Sequence, residues 1–203
     1  MSLLSARRAV ASATCETLRA LPRVAATLAF LLLPVGAHDV MAQTTPQAAE
    51  HEIKAAFLYK FIGYIEWPPR AFAREDSPLV IGVAGAPAMA DELASIVAGR
   101  SINGHNLLLR RIEPGDAVAG VHVLFVGRAT GKRAAELLNA ARGQATLTVT
   151  ESDETFPAGS VINLVVVDGK VRFDVHARNA EAENIKVSAR LLSVARKVVT
   201  SPS

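Results

Sequence analysis

The sequence predicts a single-domain α/β protein: a mixed, mostly parallel sheet with helices on both faces, closed by a C-terminal β-hairpin and a long terminal helix. Short apolar, β-branched runs alternate with helical periodicities through the middle of the chain, the pattern of crossover-connected parallel strands. An Asp168-Gly169 pair joins two further strand-like runs, the composition of a tight antiparallel hairpin. No internal repeat, low-complexity tract or break wide enough for a domain boundary interrupts them.

The first 42 residues stand apart from that domain. Arg7, Arg8, Arg19 and Arg23 precede the apolar run Ala25 to Leu33, followed by Pro34, Gly36 and then Val40-Met41-Ala42. A basic start, a short apolar core and small residues flanking a cut predict a signal peptide over 1–42, cleaved after Ala42. Its apolar core is well short of the roughly 20 residues that a membrane-spanning helix needs. Cleavage leaves 18 basic and 17 acidic residues of the chain's 22 and 19, so the mature part has no electrostatic footprint for nucleic acid. The single cysteine, Cys15, leaves with the leader, which excludes disulfides and thiolate metal sites and makes a hydrophobic core the only staple.

Residues 43–49 read as a flexible N-terminal segment and 50–199 as the folded domain. The stretch EIKAAFLYKFIGYIEWPP, Glu52 to Pro69, gathers five aromatics. Ile53, Ala56, Phe57, Lys60, Phe61 and Tyr64 recur at spacings of three and four, with Leu58, Ile62 and Ile65 widening the stripe, so this is a helix buried over most of its circumference. Glu52, Lys54, Lys60 and Glu66 interrupt it too often for lipid. Pro68 restricts Trp67 to extended geometry and Pro69 blocks continuation, which predicts a helix end near Glu66. LVIGVAG (Leu79 to Gly85) is then a strand, and MADELASIVAG (Met89 to Gly99) a helix with a glycine stop. NLLLRRI and VHVLFVG are further strands, GKRAAELLNAAR (Gly131 to Arg142) a second crossover helix and ATLTVT another strand. Val161 to Val167 and Val171 to His176 form the hairpin. In NAEAENIKVSARLLSVARKVV, apolar stripes through Ile185, Leu192 and Val199 and through Val187, Leu191 and Val198 predict the long terminal helix.

Chemistry-bearing motifs are sparse. Histidines 51, 105, 122 and 176 show no metal-ligand spacing, and those on strands read as satisfied half-buried residues. Glu151, Ser152, Asp153 and Glu154 follow a strand; they read as a loop and helix start with Ser152 or Asp153 as the cap, or as carboxylates for a hard cation. Gly82 to Pro87 sits where a dinucleotide fold carries its phosphate loop, but it lacks the third glycine and the acidic partner, and Pro87 most simply starts a helix. Arg110 and Arg111 point to opposite sides of their strand, so at most one enters any pocket. No GxSxG, SxxK or thiol nucleophile is present; the reading is no enzyme, no cofactor and no metal.

Taken together, EIKAAFLYKFIGYIEWPP, VHVLFVG, TLTVTESDETF and VINLVVVDGKVRFDVHARNAEAENIKVSARLLSVA resemble, in order and spacing, the YfiR-like family of small periplasmic proteins. The resemblance covers about Glu50 to Val198. It implies a non-enzymatic periplasmic repressor that binds the sensory domain of an inner-membrane diguanylate cyclase and limits cyclic di-GMP, exopolysaccharide and biofilm. The chain departs from the family in lacking cysteines at Gly82 and Val121, so redox control does not carry over. It also carries Ala158-Gly159-Ser160 where relatives often have Gly-Gly.

Phe57, Phe61 and Ile65 are spaced to be core, whereas Tyr59, Tyr64, Glu66, Trp67 and Arg70 lie at the helix exit, where amphipathic aromatics beside charge suit a partner interface. The competing reading makes Trp67 a plug for the end of the core. Arg172 and Asp174 share a strand face and form a second candidate contact. A homodimer is compatible with the apolar content. Two rival classes stay open: a periplasmic small-ligand binding protein, and an exported hydrolase if His122 or His176 meets the Glu151 to Glu154 carboxylates.

Overall fold

The computed structural model describes residues 46–151 and 159–200. The expected signal peptide over 1–42, residues 43–45 and the segment 152–158, with Ser152, Asp153 and Glu154, lie outside the described residues.

Helix α1 (Pro46–Ile62) opens on a proline, whose missing N–H has no helical partner at that position anyway. It therefore starts inside the segment expected to be flexible. Its fully buried positions are Lys54, Ala55, Leu58, Phe61 and Ile62, while Ile53 is 45% exposed, so the expected stripe is rotated around the helix. With apolar residues on several sides of the helix, periodicity alone does not select a single face. The helix also ends earlier than Glu66. Gly63 and Tyr64 donate back to the Lys60 and Phe61 carbonyls in a tightened last turn, and Ile65–Glu66 is a short strand, β1.

The remaining elements are β2 (Leu79–Ala84), α2 (Pro87–Val97), β3 (Ser101–Ile102), β4 (His105–Ile112), β5 (Val123–Val126), α3 (Arg133–Ala141), β6 (Leu147–Glu151), β7 (Ile162–Val167), β8 (Lys170–His176), α4 (Ala177–Ala182), β9 (Lys186–Val187), α5 (Ala189–Val194) and β10 (Lys197–Val199). Eight strands form one sheet in the order β10-β8-β7-β6-β5-β2-β4-β3. The run from β4 to β7 is parallel, β7 and β8 are antiparallel, and β10 returns parallel to β8. The mixed, mostly parallel sheet of the sequence reading is thus the observed one.

Strand alternation distributes the core. Ile81, Val83, Val123, Phe125, Leu147 and Val149 pack with α1 and α2, and Phe61 meets Phe173 edge-on at 4.9 Å between ring centroids. Ala84, Leu124 and Val126 pack with Leu137, Leu138 and Ala141 of α3 in a separate cluster. Both sheet faces are therefore covered, which is why these strands read as continuous apolar runs. The hairpin turn is the expected one: Asp168 and Gly169 have φ of 51° and 68°, the left-handed pair of a type I′ turn.

The C-terminal third departs from expectation. There is no long terminal helix; α4 stops where Asn184 adopts φ 57°, Lys186–Val187 pairs with β1, and Ser188 Oγ caps α5 by accepting from Leu191 N. Lys197–Val199 then extends the sheet beside Asp174–His176. Helical stripes and a strand-turn-helix-strand series place apolar residues at similar spacings in so short a segment, and the valines satisfy strand geometry better than helix.

Phe61→Ala is expected to lower unfolding free energy by about 3–5 kcal/mol, read from urea denaturation with an unchanged slope.

Candidate functional site

The helix exit is built by three devices. Gly63 releases the chain from α1; β1 is then clasped by β9, with Ile65 opposite Val187 and Glu66 opposite Lys186, and Ser188 N donates to Tyr64 O at 3.0 Å. Beyond Pro68, residues Pro69–Ala71 form a 3-10 turn that begins a strap running to Ser77. The strap is held by two histidines. His122 Nε2 donates to Ala71 O at 2.9 Å while its Nδ1 accepts from Val80 N at 3.1 Å, which assigns the neutral tautomer. His105 Nδ1 bonds to Ser77 O at 2.8 Å, and Phe72 stacks between the imidazoles at 3.8 and 4.5 Å.

This arrangement brings Tyr64, Glu66, Trp67 and Arg70 to one end of α1. Glu66 and Arg70 are exposed, whereas Tyr64 and Trp67 are half-buried against the main core. The Trp67 ring packs on the core and its remaining surface faces out. Its buried Nε1 finds no acceptor among the described residues. Lys186, 4.0 Å from Glu66, joins the surface; sequence reasoning missed it because it sits on a strand that had been read as helix. Tyr59 turns toward the end of α2, where the Arg100 guanidinium lies 5.3 Å over its ring.

Arg172 and Asp174 do not join that surface. Phe173 packs against Phe57 and Phe61 of α1, so its neighbours on β8 point to the other face of the sheet. Arg172 is exposed there, but Asp174 is only 4% exposed and both its oxygens are engaged by Arg196, which precedes β10. The carboxylate anchors the edge strand rather than offering itself as a contact, and it raises the Arg196 pKa through that hydrogen bond.

No catalytic pairing emerges among the described residues. The Glu151 carboxylate is bonded to Lys54 Nζ and to Arg128 N, and His122 is tied to backbone on both nitrogens. No metal-binding group of three or more ligand side chains occurs among the described residues. Arg111 pairs with Asp91, and Arg110 donates to the Ala117 and Ala119 carbonyls on the opposite face.

The fold is an α/β domain in which His105 and His122 hold the strap beside an aromatic, charged helix exit. The YfiR/HmsC-like family model matches residues 51–196, and the chain belongs to this family. No curated protein matches the chain. Family membership supports a regulatory role in the periplasm, dependent on a membrane signalling partner in general terms, rather than catalysis. Among the described residues no helix is long and apolar enough to cross a membrane.

Burial lowers the His122 pKa below the usual imidazole value, the Ala71 carbonyl opposes that, and His105 adds to it; burial likewise lowers His176. A histidine held neutral in this way contributes stability above its unfolded pKa of about 6.5, and that contribution is lost as pH falls toward the depressed folded value. Urea midpoints are expected to stay level near neutrality and to drop on acidification. His122→Gln, whose amide keeps one donor and one acceptor but does not titrate, is expected to flatten part of that drop.

Proposed function

We propose that residues 1–42 direct export and that the mature domain binds the periplasmic sensory domain of an inner-membrane diguanylate cyclase, holding it inactive and so lowering cyclic di-GMP and biofilm formation. The observation that carries this reading is the helix exit: Tyr64, Trp67, Glu66 and Arg70, clasped by β1 and β9, form a rigid surface in which half-buried aromatics adjoin exposed charges of both signs. Aromatic and arginine anchors on a fixed backbone are what interface hot spots require, because little side-chain entropy is lost on binding. Tyr59 with Arg100, and Arg172 on the far sheet face, are secondary contacts; Asp174 acts through β10. The mechanism is population shift: the complex favours the inactive arrangement of the partner, and a signal that weakens binding releases it.

Deleting the gene is expected to raise cellular cyclic di-GMP, and the intact gene to restore it. An Arg70→Glu variant that melts like the parent is expected to complement poorly, its partner affinity lowered roughly 30-fold, equivalent to about 2 kcal/mol. An unchanged cyclic di-GMP level on deletion removes cyclase repression from this reading.

A further inference from the structure

The opposite end of α1 meets a different feature. In the sheet order, β2 lies between β4 and β5, and β2 is followed by the helix that packs on one face while β5 is followed by the helix that packs on the other. The chain thus reverses its winding at β2 and β5, and the two loops leaving their carboxyl ends diverge. In open α/β sheets this is where ligands bind. A cavity of about 810 Å³ occupies the α1 side of this point, within the 300–1,000 Å³ range of small-molecule sites. Its floor is rigid, because a Cβ on Gly127 would lie 2.5 Å from Gly85 O and one on Gly85 2.6 Å from Thr130 Cγ2, so the two loops touch backbone to backbone.

Three charged groups of this cavity, Lys54, Glu50 and Glu151, are already bonded to one another. Lys54, buried in the wall, holds Glu50 and Glu151, and the second Glu151 oxygen accepts from Arg128 N at 3.0 Å. The Lys54 hydrogen bond also keeps the Glu50 carboxyl below the usual carboxylate range, against the opposing effect of burial. Besides the exposed Gln47 and Arg128, the cavity presents apolar surface to solvent: Ile53 on α1 and Val166 on β7, 45% and 37% exposed, both line it. Exposed apolar side chains that converge in a concave site are a binding signature, whereas scattered ones need no explanation.

We propose that this switch-point crevice binds a small uncharged organic molecule with an apolar body. Its apolar part covers Ile53 and Val166. A net charge on the ligand would have to be desolvated against an ion cluster that is already satisfied, which disfavours ions. The concavity suits a small molecule and not a protein surface. This site stands independently of the partner reading, since Ile53 lies about 14 Å along the helix axis from the last residue of α1, where the helix exit begins.

The test uses the purified mature protein and N-phenyl-1-naphthylamine, a neutral apolar fluorophore. A saturable fluorescence rise is expected. Ile53→Glu and Val166→Glu are each expected to weaken it about ten-fold or more, as loss of an apolar contact and burial of a carboxylate require. Leu108→Glu, on β4 outside this cavity and 51% exposed in the parent, is expected to leave it unchanged. In competition, 1-hexanol is expected to displace the probe at lower concentration than hexanoate or hexylammonium. Circular dichroism melting checks each variant, and Ile53→Ser or Val166→Ser replaces any that does not fold. Absence of a saturable rise, equal loss in Leu108→Glu, or stronger displacement by either ion overturns the proposal.

Discussion

The rest of the structure depends on the burial of α1 across one face of the sheet. Leu58, Phe61 and Ile62 are almost wholly excluded from solvent there, and each such side chain contributes about 1.5–3 kcal/mol relative to exposure. Phe61 and Phe57 both contact Phe173, which ties α1 to the hairpin rather than to the parallel strands alone. The only cysteine of the chain is Cys15, so no disulfide supports this packing. The placement of α1 in turn decides where β1 emerges, and among the described residues β1 is the only strand that pairs with β9. The short C-terminal elements are therefore held in place by the N-terminal helix.

Buried polar groups specify what the apolar layers leave open. On β6, Thr148 Oγ1 donates to Gly159 O and accepts from Val161 N, and Thr150 Oγ1 bonds with Ser160 Oγ and Asn163 Oδ1 at 2.8 and 2.9 Å. A one-residue slip between β6 and β7 would turn these hydroxyls into the α1 core without partners, so the network penalises alternative registers. Asp174 does the same at the sheet edge, where its ion pair with Arg196 precedes the three residues of β10.

The helix exit and the crevice draw on opposite properties of one helix. At the C-terminal end, glycine and proline break the helix and turn aromatic and charged side chains outward onto a backbone clasped by β9 and a strap held by two histidines. At the N-terminal end, a buried lysine gathers carboxylates from α1 and β6 and closes the floor of the switch point. Among the described residues, neither end carries a mutually positioned base, nucleophile and donor.

Local chemistry alone determined much of this protein. Strand-helix alternation from Leu79 to Thr150, the proline start of α2 and the Asp168-Gly169 turn were legible because each depends on backbone preferences within a few residues. The aromatic character of the helix exit was equally plain. The tertiary structure decided which face of α1 is buried, since a helix with apolar residues on several sides has no single preferred face until a sheet is offered to it. It broke the expected terminal helix, because β9 and β10 exist only where β1 and β8 supply hydrogen-bond partners distant in sequence. It paired Lys54 with Glu151 and Asp174 with Arg196, and it brought Ile53 and Val166 to the lining of one cavity. Such contacts between distant residues leave no periodicity to read, so only the folded chain shows which charge is a structural tie and which apolar surface is left for a ligand.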